Sequence, residues 1–143
     1  MNHSHRSTTA FLFAGLSLAY ACKSSDVVLS NRVTLGAYQS GRLQNDITVR
    51  VDSLTDSRCP EGAVCIWEGN AVVKATLSKA TDQKQVRLVL GFDFANGSYR
   101  KMDSTGVVLS GTTYSVVLRD VTPYPTVNKP SQIPKAVIDV TVR

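Results

Sequence analysis

Apolar and polar residues alternate along several stretches of this chain, and a period of two is the pattern of β-strands that bury one face. In the first clear stretch, Ile47, Val49 and Val51 alternate with polar neighbours. The same alternation recurs at 71–78, 86–90, 114–118 and 136–142, and more weakly at 32–38 and 107–109. The spacing of an amphipathic helix is absent from the sequence. The pattern therefore predicts an all-β protein.

Turn-forming residues separate the alternating stretches, at 40–41, 96–97, 104–106 and 110–111. Glycine with a serine or asparagine at such positions is a strong signal for a turn. About seven short strands joined by polar turns are typical of a single antiparallel β-sandwich, with a small β-barrel as the alternative.

One segment, residues 122–134, interrupts this rhythm because it contains four of the five prolines. Proline donates no hydrogen bond to a sheet, so we expect an irregular crossover between the last two strands. Tyr124 stands between Pro123 and Pro125, which would hold it stiffly. Tyr124 is therefore a candidate partner-binding residue.

The N-terminal part of the sequence holds an apolar run that ends at Cys22. The run, residues 10–21, is too short to span a bilayer, but it matches the apolar region of an export signal. Ala19 and Ala21 fit cleavage before Cys22, and the same residues resemble the lipobox of bacterial lipoproteins, whose cysteine is acylated. The alternative is a secreted or periplasmic soluble protein with an unmodified Cys22.

These features predict the organisation of the chain. We expect residues 1–21 to be a signal peptide, 22–30 a lipidated N-terminus and tether, and 31–143 the β-sandwich domain. The protein would then be anchored by its N-terminal lipid in the bacterial cell envelope, at the outer membrane or the cell surface.

Cleavage before Cys22 would change the composition in a way that excludes some functions. It removes Arg6 and both histidines, leaving fifteen Lys and Arg against eleven acidic residues, a net charge of +4. These charges are interspersed, so the clustered phosphate contacts of a nucleic-acid-binding protein are not expected. Without histidine, nucleophilic catalysis by a Ser-His-Asp or Cys-His arrangement is excluded.

The two remaining cysteines, Cys59 and Cys65, are close in sequence. Exported proteins fold in an oxidising compartment, so we expect these two residues to form a disulfide. Pro60 and Gly62 within the ring favour a tight turn. The pair lacks the Cys-x-x-Cys spacing of a redox site, and two cysteines without histidine would leave a zinc site half empty. We therefore expect no metal and no cofactor.

The cysteine pair belongs to a longer motif. Residues 56–71 read D-S-R-C-P-x4-C-x-W-x-G-x-A, and an alternating strand lies on each side. This motif resembles one found in uncharacterised small exported bacterial proteins and lipoproteins. The resemblance implies a fold and a compartment, and no particular activity. Glu68 stands where the family more often has a small residue.

The residue types of the motif predict local contacts. Trp67 follows the second cysteine directly, and we expect its indole to pack over the disulfide as part of the core. Arg58 lies near three carboxylates and is expected to form an exposed ion pair that orients the loop, with the partner left open among Asp56, Glu61 and Glu68.

Two candidate binding surfaces follow from these observations. One is the cysteine loop, with Arg58, Glu61, Trp67 and Glu68, and the other is the proline-rich loop around Tyr124. The sequence leaves open which of them is functional, and whether they share one end of the sandwich.

The sequence supports three functional hypotheses. The first is a non-catalytic binding or structural module, whose partner would be an unknown envelope protein or glycan. The second is a protease-inhibitor-like protein that uses the loop between Cys59 and Cys65, because constrained loops are preorganised for binding. The third is a hydrolase that depends on the carboxylates of Asp56, Glu61 and Glu68. Exposure of the cysteine ring separates the first two hypotheses, since a buried ring cannot enter a cleft.

Overall fold

The computed structural model describes residues 30–129 and 132–143, and this part of the chain is all β. The expected signal peptide, Cys22 and most of the tether lie outside the described residues. The strands are β1 (Arg32–Gly36), β2 (Ser40–Arg42), β3 (Thr48–Asp56), β4 (Asn70–Lys79), β5 (Asp82–Asp93), β6 (Ser98–Arg100), β7 (Asp103–Leu109), β8 (Thr112–Thr122) and β9 (Lys135–Val142).

The strands form two antiparallel sheets that pack as a β-sandwich. One sheet has the order β1-β9-β8-β7 and the other has the order β2-β3-β4-β5-β6. Because no strand pairs across the two sheets, the sandwich is confirmed and the alternative of a closed barrel is excluded. Among the residues described, no helix is long and apolar enough to cross a bilayer.

The alternating stretches of the sequence lie in strands, except that Ile47 precedes β3 and residues 37–38 form a turn after β1. The strand count is higher than expected. β2 occupies residues 40–42, where a turn was predicted, and the three-residue β6 carries no clear alternation. Gly41 allows β2 to pass close to β1, since a Cβ there would lie 3.0 Å from a methyl group of Val33. The predicted turn at 104–106 is also wrong, because these polar residues pair with β8 inside β7.

The core lies between the sheets and is built from the inward-facing residues of the alternating strands. Val49, Val51, Val73 and Leu77 of one sheet share a continuous buried cluster with residues of the other sheet, such as Ile138. Burying a side chain of this size contributes about 1.5–3 kcal/mol, so the cluster provides most of the driving force for folding.

An ion triad joins three strands of the four-stranded sheet. Asp139 of β9 accepts hydrogen bonds from Arg32 of β1 at 2.6 and 2.9 Å and from Arg119 of β8 at 2.8 Å. The hydrogen bonds from Arg32 outweigh the opposing effect of burial, and together with Arg119 they lower the pKa of Asp139. Asp139 therefore stabilises the folded chain in its ionised form.

The strand registers define two ends of the sandwich. We call one of them the loop end, because β3–β4, β5–β6 and β8–β9 are joined there by the segments 57–69, 94–97 and 123–134. The opposite end carries Ser30, the 43–47 loop and the two-residue turns at 80–81 and 110–111. Ser30 is fixed at that end by its carbonyl oxygen, which accepts a hydrogen bond from the backbone N–H of Gln44 at 3.3 Å.

Candidate functional site

The base of the cysteine loop extends the pairing of β3 with β4. Cys59 and Cys65 form the predicted disulfide. The N–H of Ser57 donates to the carbonyl of Asn70, and the N–H of Cys59 donates to that of Glu68, both at 2.8 Å. At Gly69, φ is 72° and a Cβ would collide with the carbonyl oxygen of Ser57, so only glycine fits there. The loop therefore leaves the sheet in one defined direction.

Arg58 anchors the loop to both sheets. Its guanidinium donates to the two carboxylate oxygens of Asp56, at 2.8 and 2.7 Å. It also donates to the carbonyl oxygen of Val121 in β8 at 2.6 Å, and it lies 3.8 Å from the carboxylate of Asp120. The guanidinium carbon is 4.4 Å from the ring centroid of Tyr124, in cation–π geometry.

The predicted ion pair of Arg58 is therefore present, but the prediction that it is exposed is wrong. The side chains of Arg58 and Asp56 are each only 8% exposed, and neither Glu61 nor Glu68 pairs with Arg58. The arginine turns inward because β8 and Tyr124 offer acceptors and a ring face there. Burial opposes its charge, but the hydrogen bonds and the charge of Asp56 outweigh burial, so the pKa of Arg58 is raised.

The cysteine loop and the proline-rich loop are in direct contact. The N–H of Glu61 donates to the carbonyl of Pro125 at 2.9 Å, and the N–H of Val127 donates to the carbonyl of Glu61 at 3.2 Å. Gly62 lies against Val127, which approaches so closely that a Cβ on Gly62 would be 2.9 Å away. The two candidate surfaces of the sequence are thus neighbouring parts of the loop end.

Beyond this braced base, the cysteine loop carries apolar side chains into solvent. Val64 and Ile66 are fully exposed, and Trp67 is 50% exposed. The indole of Trp67 packs edge-on against Phe94 at 5.4 Å between ring centroids, and Phe94 packs edge-on against Phe92 at 5.0 Å. We call these five side chains the apolar tip. The prediction that Trp67 is part of the core is wrong, because the loop projects beyond the layer between the sheets.

The two phenylalanines of the apolar tip are held by Asp93. Asp93 is buried and accepts hydrogen bonds from the N–H of Ala95 at 3.2 Å, from Asn96 Nδ2 at 2.7 Å and from Arg87 at 3.2 Å. Burial alone would raise the pKa of Asp93, but these donors outweigh it and lower the pKa. The ionised carboxylate thereby fixes the turn that presents Phe94.

The sequence contains one signal that Phe92 and Phe94 face outward, and it is the glycine that precedes them, Gly91. Leu88 and Leu90 are buried, and strict alternation would bury Phe92 as well. Gly91 has a φ of 91°, and beyond it the pattern inverts, so that Asp93 is buried and the phenylalanines face outward. An isolated glycine within a strand pattern often marks such an irregularity.

A polar cleft of about 460 Å³ lies beside the cysteine loop. Its walls include Arg58, Glu68, Tyr99, Lys101, Asp120 and Tyr124. Arg58 and Arg100, which also lines the cleft, are already paired with Asp56 and Asp103, so the ligand-accessible charges are those of Glu68, Lys101 and Asp120. This mixture of both signs, with two tyrosines, suits the polar rim of an interface.

The three carboxylates of the hydrolase hypothesis have separate surroundings. Both oxygens of Asp56 accept hydrogen bonds from Arg58. The backbone of Glu61 is bridged to the proline-rich loop, whereas Glu68 lines the cleft. Within residues 30–129 and 132–143, no group of three or more acidic, cysteine or histidine residues could hold a metal ion.

The loop end therefore combines a braced base, an exposed apolar tip and a polar cleft. Comparison with protein-family models, with curated proteins and with solved structures gives no match to this chain.

Proposed function

We propose that this protein is a lipid-anchored module of the bacterial cell envelope that binds another envelope protein, without catalysis, through its loop end. The observation that carries the proposal is the apolar tip, in which Trp67 packs against Phe94 at the surface and the same loop holds Val64 and Ile66 fully exposed. Contiguous exposed apolar side chains with a polar rim are typical of protein interaction sites.

The rigidity of the loop end supports this proposal. The disulfide, the buried pair of Arg58 and Asp56 and the backbone bridge of Glu61 hold the loop in one shape before any partner arrives. A preorganised loop loses little conformational entropy on binding, so more of the interaction energy remains as affinity. Aromatic side chains such as Trp67 are also enriched among the residues that dominate binding energy.

The aliphatic part of the apolar tip favours a protein over a glycan as the partner. Aromatic rings can stack on sugars, but the fully exposed Val64 and Ile66 need an apolar pocket to gain free energy by burial. Protein surfaces provide such pockets, whereas glycans present mostly hydroxyl groups. The charges of Glu68 and Lys101 at the rim would then give register and specificity.

The position of the tether supports a partner away from the anchoring membrane. The described fold starts with Ser30 at the opposite end, and the expected tether from Cys22 to Ser30 has nine residues, or about 30 Å when fully extended. The eleven residues of β8 span about 36 Å of the sandwich. If Cys22 is acylated, the loop end therefore points away from that membrane surface.

This proposal can be tested by site-specific photocrosslinking in intact envelopes. A photoreactive residue at position 66 should capture a defined protein, and Trp67→Ala should abolish capture while the amount of folded protein stays the same. Val142→Asp, which alters an exposed apolar residue at the opposite end, is the matched control and should leave capture intact. Equal capture by the Trp67 and Val142 variants would contradict the proposal.

The acylation is tested separately. Intact-mass analysis of the isolated protein should show a diacylglyceryl group on Cys22, and Cys22→Ala should release the protein from membranes or stall its processing. An unmodified Cys22 at the mature N-terminus would exclude the lipid anchor without affecting the binding proposal.

A protease-inhibitor-like function is a second candidate, and the exposure of the cysteine ring favours it. Residues 61–68 are all exposed, and the ring is braced at its base, as an inhibitory loop requires. The test is titration of the purified protein against serine and cysteine proteases with apolar specificity. Stoichiometric inhibition that Val64→Asp abolishes would support this candidate, whereas rapid cleavage within the ring or no inhibition would exclude it.

A further inference from the structure

Among the described residues the sandwich has four edge strands, and β7 is the longest of them. β2 and β6 have three residues each, and β1 has five. β7 has seven residues paired with β8 in an unbroken register. After Asp103, the segment 104–111 contains no charged residue and no proline. Natural proteins protect exposed edges by short strands, charges, prolines or bulges, and β7 uses none of these after its first residue.

The backbone of β7 is unpaired on its outer side. β7 stands last in its sheet, and its ladder bonds go to β8 alone. Within the described residues, the backbone atoms of 104–109 make no further hydrogen bond. In an antiparallel edge strand, alternate residues direct their N–H and C=O groups away from the sheet. These groups are available to an added strand.

A groove of about 550 Å³ runs beside this edge. One wall is β7, with Thr105, Gly106 and Val108, and the other is the first half of β5, with Lys84 and Arg87. β6 pairs with β5 only from Gly91 to Asp93, so this first half of β5 is also unpaired on the groove side. The groove is therefore bordered by two free strand edges.

The charges along the groove are of one sign. Lys84 and Arg87 belong to its wall, and the lining includes no carboxylate. Arg87 is already paired with Asp93, so Lys84 supplies the main free charge of the wall. The guanidinium of Arg143 lies over Gly106, 3.4 Å from where a Cβ would be. Gly106 itself leaves the middle of the edge free of a side chain. An approaching strand would therefore gain electrostatic free energy if it carried acidic side chains.

From these observations we propose that β7 is a second binding site, which accepts an extended acidic segment of another protein as an added β-strand. Backbone hydrogen bonds to β7 provide the affinity, and Lys84 with Arg143 selects acidic side chains. The groove lies on a lateral edge of the sandwich, so this site is independent of the apolar tip.

The test uses the isolated full protein and capped nonapeptides in which valine alternates with glutamate or, in the control peptide, with lysine. Titration followed by amide NMR should show at least tenfold tighter binding of the glutamate peptide, with shifts confined to β7 and the first half of β5. Every second amide of the bound peptide faces β7, and N-methylation of those amides should abolish binding because it removes their hydrogen-bond donors. N-methylation of the intervening amides, which face away from β7, should leave binding intact.

A charge reversal completes the test. Lys84→Glu should weaken binding of the glutamate peptide severalfold, whereas Lys129→Glu, at an exposed lysine of the proline-rich loop outside the groove, should not. Equal binding of the two peptides, insensitivity to N-methylation in both phases, or no binding at millimolar peptide would overturn the proposal. Peptide-independent self-association with protected β7 amides would also overturn it, since the occupant would then be a second copy of the chain.

Discussion

The two ends of the sandwich are built from the same strands, yet the chain connects them in different ways. At the opposite end, Ser110 and Gly111 form a two-residue turn with positive φ values of 49° and 77°, which is sufficient to reverse a strand pair. At the loop end, the chain instead places 13 residues between β3 and β4 and 12 between β8 and β9. Closing the strand pairs does not require this length, so the additional residues serve another purpose.

The two ends also differ in what they bury. The turns of the opposite end are held by exposed polar contacts, such as the hydrogen bond from the N–H of Ser110 to Asp82 at 3.0 Å. The loop end buries an ion pair, Arg58 with Asp56, to hold exposed apolar residues in position. Burying charges costs solvation free energy that a hydrophobic contact would not. The difference indicates that the loop end is organised for binding more than for stability.

Among the variants that compare the two ends, Arg58→Ala should lower the free energy of unfolding the most. Removing the arginine leaves the buried carboxylate of Asp56 unpaired, which should lower the free energy of unfolding by about 3–5 kcal/mol. Arg42→Ala breaks an exposed pair with Asp46 near the opposite end and should cost less than about 1 kcal/mol. Urea unfolding of both variants measures the difference. Similar costs for the two variants would show that Arg58 does not anchor the loop end.

The second effect is loss of the disulfide. Replacing Cys59 and Cys65 together by serine should lower the free energy of unfolding by about 2–2.5 kcal/mol, the entropic contribution of so small a ring. Hydrogen exchange should become faster in residues 57–69, while the turns at the opposite end keep their protection. A global loss of protection would mean that the loop end and the rest of the sandwich unfold as one unit.

The disulfide could be predicted from the sequence, whereas the buried contacts of Arg58 could not. Alternation such as that of Ile47, Val49 and Val51 identified the long strands and the core, because burial on one face is a local pattern. The disulfide followed from spacing and compartment. The contacts of Arg58 with Val121 and Tyr124 join residues more than sixty positions apart, so they depend on how the two sheets pack.

The apolar tip was only partly predictable for a related reason. Trp67 was identified as a candidate binding residue, yet its exposure depends on the direction in which the loop leaves the sheet at Gly69. Phe92 and Phe94 continue the apolar alternation of β5 in sequence, and only the positive φ of Gly91 turns them outward. A local backbone conformation therefore overrides the period of two at the position where the surface is built.

The third effect is a dependence of stability on pH. The pKa values of Asp93, at the loop end, and Asp139, in β9, are both lower in the folded protein than in a free aspartate. Each carboxylate therefore stabilises the fold above its unfolded pKa of about 3.9, and the contribution is lost as the pH falls through the folded value. Stability should decline below about pH 4.

Two variants assign this acid sensitivity to regions of the molecule. Asp93→Asn and Asp139→Asn should each flatten the decline in urea-unfolding stability between about pH 4 and pH 2, since each removes one titrating group. Only Asp93→Asn should also speed hydrogen exchange in the turn 94–97. Asp46→Asn, at an exposed aspartate, is the control for the loss of a surface charge. If neither Asp93→Asn nor Asp139→Asn changed the dependence of stability on pH, the acid sensitivity could not be assigned to these two carboxylates.

The smallest expected effect on stability is that of Trp67→Ala. Trp67 is half exposed and packs against Phe94 alone among the aromatic residues of the described chain, so its removal should cost about 1 kcal/mol or less. Leu77→Ala, in the core, should cost about 2–5 kcal/mol. Thermal unfolding compares the stabilities of the two variants.

Photocrosslinking from position 66 compares their binding. We expect the tryptophan variant to fold but to lose its partner. The leucine variant should retain the partner at a temperature where it remains folded. A tryptophan variant as unstable as the leucine variant would mean that the indole supports the fold, and the apolar tip would no longer be separable from the core.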